Sequence, residues 1–364
     1  MNHDFEPVFA AAGRLNPEPH SSTRRLSDHP PPRARISVCI ATYRRPERLG
    51  HLLDDLVRQS LVPLEVVVVD NDATGSAREV VAWRRARGCP FELVYAMQPE
   101  QNIALTRNRC VALARGSWLA FIDDDERAAP HWLADLVETA CRHAAFGHDA
   151  ADAVLGPVVP LLPESAPAWI RRGDFYRWPR RRTGEIVPLN RLRFGNVLLR
   201  GSLLRDRPSP FDPAYGLTGG EDGELLGRLV QQGARVVWCD EAVVTEPVEA
   251  SRQNLRWLML RGLRGGQDYA RHRLSGRFGQ LGLAGRAGLL LRSTAQCALA
   301  LVLVPLGALL GRHRAAQALI LAAANAGKAS GCAGWHYREY ASAPGPAANP
   351  VPTTRNDHPP GAAS

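Results

Sequence analysis

The sequence predicts an α/β protein with a doubly wound sheet. The first indication is the segment 65–69, a continuous β-branched run that is typical of a strand buried on both faces. The second is the alternation of apolar segments of strand length with segments whose apolar residues recur at helical spacing. The third is that acidic residues directly follow several predicted strands. This order favours helices on both faces of a sheet that binds its ligands at the carboxyl ends of its strands.

The first half of the chain has a β-α-β-α-β order, and we expect its connections to be right-handed. The apolar strand at 36–40 is followed by a helix that begins at Pro46, a residue suited to the first helical turn. Leucines then recur at helical spacing, which places one face of this helix against the sheet. The other predicted elements of this half are strands at 65–69, 91–95 and 118–122 and helices around 77–87 and 105–115.

The second half is less regular. Residues 157–188 contain many Pro, Arg and Trp residues, and a long irregular stretch in a compact domain is typically a functional loop or disordered. The predicted elements are a helix over 130–143, strands at 153–155, 194–200, 235–239 and 243–246, and a helix that begins with the acidic residues near 221.

The composition is globular with a strong arginine bias. The chain has 364 residues, a net charge of +9 and a single lysine, Lys328, so nearly all of its positive side chains are arginines. This positive charge favours anionic partners such as phosphates, nucleic acid or an acidic membrane surface. The seven cysteines form no CxxC pair, which indicates reduced thiols in a cytosolic compartment and argues against a disulfide frame or a zinc site. Residues 1–34 contain no signal-peptide core, and we expect disordered tails at 1–34 and 343–364.

The C-terminal part differs from the rest, and we place a boundary near residue 250, between an α/β domain at 35–250 and a helical segment at 251–342. Residues 252–277 are basic and amphipathic, residues 293–310 are uncharged and mostly apolar, and residues 315–326 form a shorter apolar run. The longer run is near the lower limit for a bilayer span. We expect an interfacial or re-entrant helical hairpin that associates with a membrane; a soluble helical subdomain and a true span are the alternatives.

Three acidic clusters fall at the ends of predicted strands or in the loops that follow them, at 70–72, 123–125 and 221–222. The carboxyl ends of neighbouring strands converge, so we expect these clusters to share one site. Clustered carboxylates suit a hard divalent cation such as Mg²⁺ or Mn²⁺. No GxGxxG follows the first strand and no GxxxxGK[ST] is present, which argues against a nicotinamide-binding domain and a P-loop NTPase.

Five segments, taken in order, resemble the family 2 glycosyltransferases of the GT-A fold, and among them bacterial enzymes of exopolysaccharide assembly of the succinoglycan type. The segments are 36–42, 66–72, 102–116, 121–125 and 221–224. The resemblance covers about residues 35–260. It implies a Rossmann-like mixed sheet flanked by helices and an enzyme that moves a sugar from a nucleotide-sugar donor to an acceptor.

The resemblance implies that one group of residues binds the nucleotide sugar. Asp70 would accept a hydrogen bond from the base, and Asp72 would lie nearby. Arg107 would brace the nucleotide and the aspartate loop; a surface salt bridge is the alternative. The other donor-binding residues that the resemblance implies are Thr42, Tyr43, Arg44, Asp123 and Asp124.

The resemblance also implies a metal ion and a catalytic base. Asp125, which forms a DxD pair with Asp123, would bind Mn²⁺ or Mg²⁺, which neutralises the diphosphate and helps it to depart. Glu246 is a further candidate ligand, at a strand end where many relatives have a histidine. Asp222, beside Glu221 at a helix N-terminus, would take the proton from the acceptor hydroxyl in an inverting transfer. A role of this acidic pair as a helix N-cap is the alternative.

The segment that begins at Gln253 matches the QxxRW pattern of processive polysaccharide synthases. In that pattern Arg256 would face the diphosphate and Trp257 the acceptor sugar. Processive relatives carry several membrane spans and this chain has at most one. A chance match on an amphipathic helix is therefore the alternative; if the pattern is functional, we expect diphosphate binding without processivity. Glu221 and aromatic residues of the 157–188 stretch are further candidates for the acceptor side.

We therefore expect an inverting, metal-dependent enzyme that moves a hexose from a nucleoside-diphosphate sugar, UDP-linked, to a saccharide acceptor in exopolysaccharide or cell-surface glycan synthesis. We expect a lipid-linked acceptor, no nucleic-acid partner, and a cytoplasmic enzyme that is peripheral to or anchored in the inner membrane. A sugar-phosphate nucleotidyltransferase is one alternative, although the turn at 41–46 lacks the glycines of its phosphate loop. A non-catalytic basic module that binds membranes or nucleic acid is the other, and it predicts that Asp125 and Asp222 are dispensable.

Overall fold

Four parallel strands form one half of the main sheet. The structure, a computed structural model, describes residues 35–145, 151–276 and 279–337. The four strands are β1 (Ile36–Thr42), β2 (Glu65–Asp70), β3 (Glu92–Met97) and β4 (Trp118–Ile122). They lie in the order β3-β2-β1-β4. This is the doubly wound arrangement that the sequence predicts, and it brings the carboxyl ends of β1, β2 and β4 to one edge.

The other half of the sheet is mixed. Its strands are β6 (Ala153–Leu155), β8 (Asn196–Arg200) and β9 (Val236–Trp238), which give the order β3-β2-β1-β4-β8-β6-β9. Strand β8 is antiparallel to both β4 and β6. A second sheet is formed by β5 (Arg127–Ala128), β7 (Val158–Leu161) and β10 (Val244–Pro247). Strand β7 lies inside the stretch that the sequence pattern predicts to be irregular.

Helices cover both faces of the main sheet. They are α1 (Pro46–Val57), α2 (Arg78–Ala86), α3 (Ile103–Leu113), α4 (Trp132–Ala145), α6 (Ser202–Arg205) and α7 (Glu221–Gln231). The short helix α5 (Ala168–Gly173) lies in a separate apolar cluster that contains Ile170 and Leu258. In β2, Val66 and Val68 pack into the core beneath α1, α2 and α4, whereas Val67 and Val69 pack into the core beneath α3 and α7. All four valines are fully buried, which explains the unbroken β-branched run.

Most predicted elements are present, with their ends shifted by a few residues. The helix predicted at 105–115 begins two residues earlier, because the side chain of Asn102 accepts a hydrogen bond from the backbone N–H of Leu105 and caps the helix. The strand predicted at 194–200 begins at Asn196, after Gly195 with a φ of 90°. The tails predicted at 1–34 and 343–364 lie outside the described residues.

Four helices follow the α/β part. They are α8 (Leu255–Leu274), α9 (Leu283–Val302), α10 (Val304–Leu310) and α11 (Arg312–Cys332). In the described ranges no single helix is long and apolar enough to cross a membrane. Helices α9 and α10 meet the length and composition requirement only together, and they are bent by 41° relative to each other.

Helices α8 and α11 approach each other closely along glycines. A Cβ atom on Gly266 would lie 1.9 Å from the backbone oxygen of Ala324, and one on Gly327 would lie 2.0 Å from the backbone oxygen of Leu263. Both positions therefore require a residue without a side chain. We call this contact the α8–α11 seam.

Replacing Gly266 by alanine tests the seam. The added methyl group would meet the backbone of α11, so we expect Gly266→Ala to lower the free energy of unfolding by roughly 1–3 kcal/mol. The neighbouring Gly265→Ala is the matched control, since a Cβ there meets nothing within 4 Å. That change should stabilise the helix by up to about 1 kcal/mol. Denaturant unfolding of the two variants measures the difference, and equal stability would contradict the close packing.

Candidate active site

The carboxyl ends of β1, β2 and β4 bring two of the predicted acidic clusters together. Thr42 is paired with Asp70 in the sheet register, and its backbone oxygen accepts a hydrogen bond from the N–H of Asn71. The hydroxyl group of Thr42 donates to Asp124 across 2.8 Å. Thr42 thus joins the turn after β2 to the aspartate loop at 123–125.

Asp70 is fully buried and supports the turn after β2. Its Oδ1 accepts from the backbone N–H of Asp72 at 3.0 Å, and its Oδ2 accepts from the N–H of Ala77 at 2.8 Å and from the hydroxyl of Tyr95 at 3.1 Å. Burial, together with the charge of Asp70, raises the pKa of Tyr95 to about 12. Since its oxygens bond within the protein, the contact of Asp70 with a nucleotide base stays a prediction.

Asp72 lies at the end of this turn, next to exposed basic groups. It accepts hydrogen bonds from the hydroxyl of Thr74 at 2.7 Å and from Nε of Arg44 at 3.2 Å. Burial disfavours its charged form, but the hydrogen bonds from Thr74 and Arg44 outweigh burial and lower the pKa of Asp72. Arg44 has a φ of 54°, and its guanidinium lies over the ring of Tyr43. The predicted trio of Thr42, Tyr43 and Arg44 therefore borders both acidic clusters.

Arginines surround the aspartate loop. Nη1 of Arg45 lies 3.0 Å from both Asp124 and Asp125. Burial raises the pKa of Asp124 to about 6, opposed by Arg45. The backbone N–H of Asp123 donates to the buried Glu126 at 3.0 Å, and burial, with the charge of Asp123, raises the pKa of Glu126 well above its ordinary value. The sequence reasoning missed Arg45 and Glu126, although both stand directly beside predicted site residues.

Arg107 connects the aspartate loop to the third acidic cluster. One nitrogen of its guanidinium donates to Asp123 at 3.2 Å and another donates to Glu221 at 2.5 Å. The guanidinium also lies 4.7 Å from the centre of the Phe194 ring. Arg107 is nearly buried in α3, so the bridge holds the loop after β4 against the first turn of α7. The three clusters predicted to share one site are therefore brought together.

Glu221 and Asp222 begin α7 after two glycines with positive φ. Gly219 has a φ of 81° and Gly220 a φ of 90°, so both take a left-handed backbone conformation that glycine adopts without strain. Glu221 is buried, whereas Asp222 is only partly buried. The burial of Glu221, together with the charge of Asp222 and against that of Arg107, raises its pKa to about 7. Asp222 is thus the more accessible carboxylate, and it lies where a helix N-terminus favours negative charge.

Helix α8 holds the loop that precedes α7. Arg271 donates to the hydroxyl of Thr218 and to the backbone oxygen of Ala214, both at 2.8 Å, and its guanidinium lies 3.5 Å from the centre of the Tyr215 ring. The ring Nε2 of His272 lies 3.3 Å from the backbone oxygen of Gly220. These side chains of the basic C-terminal segment fix the approach to Asp222, a role that the sequence pattern does not reveal.

Glu246 and Asp125 share one guanidinium. Arg252 donates to Glu246 at 2.6 Å and to Asp125 at 3.1 Å. Burial, with the charge of Asp125 and against that of Arg252, raises the pKa of Glu246. Arg252 immediately precedes the QxxRW match and was not among the predicted residues.

The donor set around Asp125 suits a cation that shares its ligands with a phosphate. In the described ranges no three or more His, Cys, Asp or Glu side chains form a group that could hold a metal ion. Mg²⁺ is commonly bound by one or two carboxylates plus substrate phosphates, and does not need an all-protein cage. Asp125 and Glu246 provide such a pair of carboxylates, linked through Arg252.

The QxxRW residues are placed differently from one another. Gln253 donates to the backbone oxygen of Val248, and Arg256 is exposed. Trp257 stacks on Tyr176 with ring centres 5.9 Å apart, and the guanidinium of Arg252 lies 5.9 Å from its ring centre. Trp257 is therefore linked to Asp125 and Glu246 through Arg252. The contacts of Gln253 and the exposure of Arg256 do not test the roles proposed for these two residues, which stay predictions.

The Glu221 carboxyl group should make stability depend on pH. Its pKa rises from an ordinary 4.5 to about 7 in the folded protein. Between these values the folded protein binds more protons than the unfolded chain, so the free energy of unfolding falls as the pH rises. In Glu221→Gln this decline should be shallower, which urea unfolding over about pH 4.5–7 measures. Glu164→Gln, which removes an exposed carboxylate, is the control. A slope as steep as that of the wild-type protein would contradict the raised pKa.

Comparisons with known proteins agree on one family. Residues 37–180 match the model of the family described as glycosyl transferase family 2. The succinoglycan biosynthesis protein ExoM of Rhizobium meliloti is 38% identical over 245 residues, which cover 65% of this chain and 74% of that protein. The glucosyl-dolichyl phosphate glucuronosyltransferase of Haloferax volcanii is 27% identical over 243 residues, 62% of this chain and 74% of that protein.

A solved structure shows the same fold. It is that of the mannosyltransferase PcManGT from Pyrobaculum calidifontis in complex with GDP-Man and Mn²⁺, with a TM-score of 0.52 and 19% identity. The alignment covers 80% of this chain and 86% of that protein. The α/β part described above is accordingly a GT-A fold.

Proposed function

Because the chain belongs to glycosyl transferase family 2 and is a glycosyltransferase acting on nucleotide sugars, we propose that it is an inverting, metal-dependent hexosyltransferase with Asp222 as its catalytic base. The observation that carries this proposal is the bridge by which Arg107 joins Asp123 to Glu221. This bridge places the loop at 123–125, which we assign to the donor, next to the start of α7, which we assign to the acceptor side. Direct transfer of a sugar to a hydroxyl group requires a carboxylate close to the bound nucleotide sugar.

The donor side is formed by the ends of β1, β2 and β4. Arg44 and Tyr43 border the turn that contains Asp72, and we assign this turn to the nucleotide. Asp123 and Asp124 are assigned to the ribose and the sugar, and Arg107 holds their loop in place. We expect a UDP-linked donor.

The transfer step needs a carboxylate beside the acceptor. The carboxylate of Asp222 takes the proton of the acceptor hydroxyl while that oxygen attacks the anomeric carbon, and the nucleoside diphosphate leaves from the opposite side with inversion. Glu221 is buried and paired with Arg107, so its part is to position Asp222.

The leaving diphosphate needs positive charge. Asp125, with Glu246 as the second carboxylate, would hold Mn²⁺ or Mg²⁺, which supplies Lewis-acid stabilisation of the departing phosphates when bound. The chain adds guanidinium groups of its own, because Arg45 and Arg252 both lie against Asp125. Arginine can bind two phosphate oxygens at once, so these side chains suit the diphosphate.

The acceptor is proposed to be a saccharide carried by a lipid at the cytoplasmic face of the inner membrane. The name of the Rhizobium relative supports a role in exopolysaccharide synthesis, and that of the Haloferax relative describes a lipid-linked acceptor. Trp257 and Tyr176, stacked next to Arg252, offer aromatic faces on this side. The sequence also left two alternatives, a nucleotidyltransferase and a non-catalytic basic module. Neither is a glycosyltransferase, so both disagree with membership of this family.

Replacing Asp222 by asparagine tests the base. The amide cannot accept the proton, so turnover should fall by about 10²–10⁴-fold while binding of the nucleotide sugar is retained. Transfer is measured with radiolabelled nucleotide sugars and a membrane acceptor, and donor binding by calorimetry. Asp174→Asn is the control, since Asp174 is exposed and its left-handed φ of 51° suits asparagine. Turnover equal to that of the wild-type protein would overturn the assignment of Asp222.

Removal of divalent cations tests the metal. Turnover should be lost after chelation and return with Mn²⁺ or Mg²⁺. Loss of a group that hydrogen-bonds to a metal ligand already costs roughly 10–100-fold in metal affinity, so Asp125→Asn should raise the Mn²⁺ concentration for half-binding by at least about tenfold. Electron paramagnetic resonance of free Mn²⁺ measures this binding without an activity assay. Full turnover after exhaustive chelation would refute the metal requirement.

A further inference from the structure

A cavity of about 410 Å³ lies where α5 meets the junction of α10 and α11. Its walls combine an aromatic ring, an aliphatic side chain and basic groups. The lining includes Trp169, Arg172, Leu310, Arg312 and His313. The lining contains no acidic residue. An apolar floor with a basic rim matches an amphiphile whose charged group is a phosphate.

The cavity is built from fixed elements. Gly311 has a φ of 125°, which turns the chain sharply from α10 into α11. The side chain of Gln317 in α11 donates to the backbone oxygen of Gly173 at 3.2 Å and so ties α11 to the end of α5. Trp169 packs edge-on against Phe175 with ring centres 5.6 Å apart. The basic groups are therefore held on a rigid frame.

An exposed apolar face adjoins the cavity. Leu309 is 86% exposed and Leu310 is 67% exposed, at the end of α10. Leu291 and Val302 on α9 are each 73% exposed. Exposed leucines at this density are not scattered surface residues but form a surface that interacts with another apolar phase.

The charged residues of the segment that forms this face have one sign. From Tyr269 to Arg338 the sequence contains arginines and Lys328 but no aspartate or glutamate. A basic segment with an exposed apolar face is complementary to the surface of a bilayer that contains acidic phospholipids. Helices α9 and α10 are bent by 41° relative to each other, so the apolar stretch of this segment is not one straight helix.

We propose that the face formed by α9 and α10 lies in the surface of an acidic phospholipid bilayer, and that the cavity beside α5 binds the phosphate of one lipid headgroup. Leu309 and Leu310 enter the apolar layer, and Arg172 and Arg312 hold the phosphate at its boundary. The proposal rests on the membrane location included in the proposed function and adds to it a site and a lipid class. A nucleic acid also offers phosphates, but it has no apolar layer into which the exposed leucines could insert.

The test is sedimentation of the full-length protein with vesicles of phosphatidylcholine alone or mixed with phosphatidylglycerol. The wild-type protein should bind the mixed vesicles more tightly. The double variant Arg172→Gln/Arg312→Gln should weaken binding to the mixed vesicles by about tenfold or more, and Leu309→Asn/Leu310→Asn should weaken binding to both kinds. The matched controls are Arg87→Gln, at an exposed arginine directly after α2, and Leu161→Asn, at an exposed leucine of β7. Both control variants should bind the vesicles as the wild-type protein does.

Three results would overturn the proposal. They are vesicle binding that is the same for the wild-type protein and both double variants, loss of inorganic phosphate binding in the arginine variant with unchanged vesicle binding, and loss of oligonucleotide binding in the arginine variant with unchanged vesicle binding. The second result would assign the cavity to free phosphate and the third to nucleic acid. Hydrolysis of the nucleotide sugar in solution separates this proposal from the proposed function. The docking variants should retain it, whereas Asp222→Asn should bind vesicles normally and fail only in transfer.

Discussion

The arrangement of the site depends on the guanidinium of Arg107. A buried cation is stable only when it is paired, and removing one partner of such a pair commonly costs about 3–5 kcal/mol. Arg107 has carboxylates on two sides, Asp123 and Glu221, and the ring of Phe194 against its face. These groups come from a loop after β4, the start of α7 and the entrance to β8. The bridge therefore sets the separation between the loop proposed to bind the donor and the proposed base.

The parts of the fold that follow from local pattern could be predicted from the sequence. The valines of β2 predict a strand buried on both faces because each valine has a core above or below it. The aspartates at 123–125 stand out because they end an apolar strand at the edge where parallel strands bind ligands. Arg107 could be assigned only through a family resemblance, because nothing in its local sequence indicates that its partners lie 16 and 114 residues away.

Other features depend on contacts that no local pattern encodes. The antiparallel direction of β8 is set by pairing with β4 and β6, so periodicity alone does not predict it. Strand β7 was missed because Pro160 interrupts its pattern, and it forms through parallel pairing with β10. Arg252 lies in a short turn before α8, and only the tertiary structure places it between Asp125 and Glu246.

The helical C-terminal part is joined to the site by side-chain contacts as well as by the chain. Arg271 and His272 of α8 hold the turn before Asp222, and Arg252, just before α8, holds Asp125. Helix α8 in turn packs on α11 through glycines that leave no room for a side chain. The boundary proposed at residue 250 therefore marks a change of composition, but these contacts argue against treating the two sides as independent units. Close-packed elements transmit strain, so the α8–α11 seam links α11 to the helix whose side chains hold the loop before Asp222.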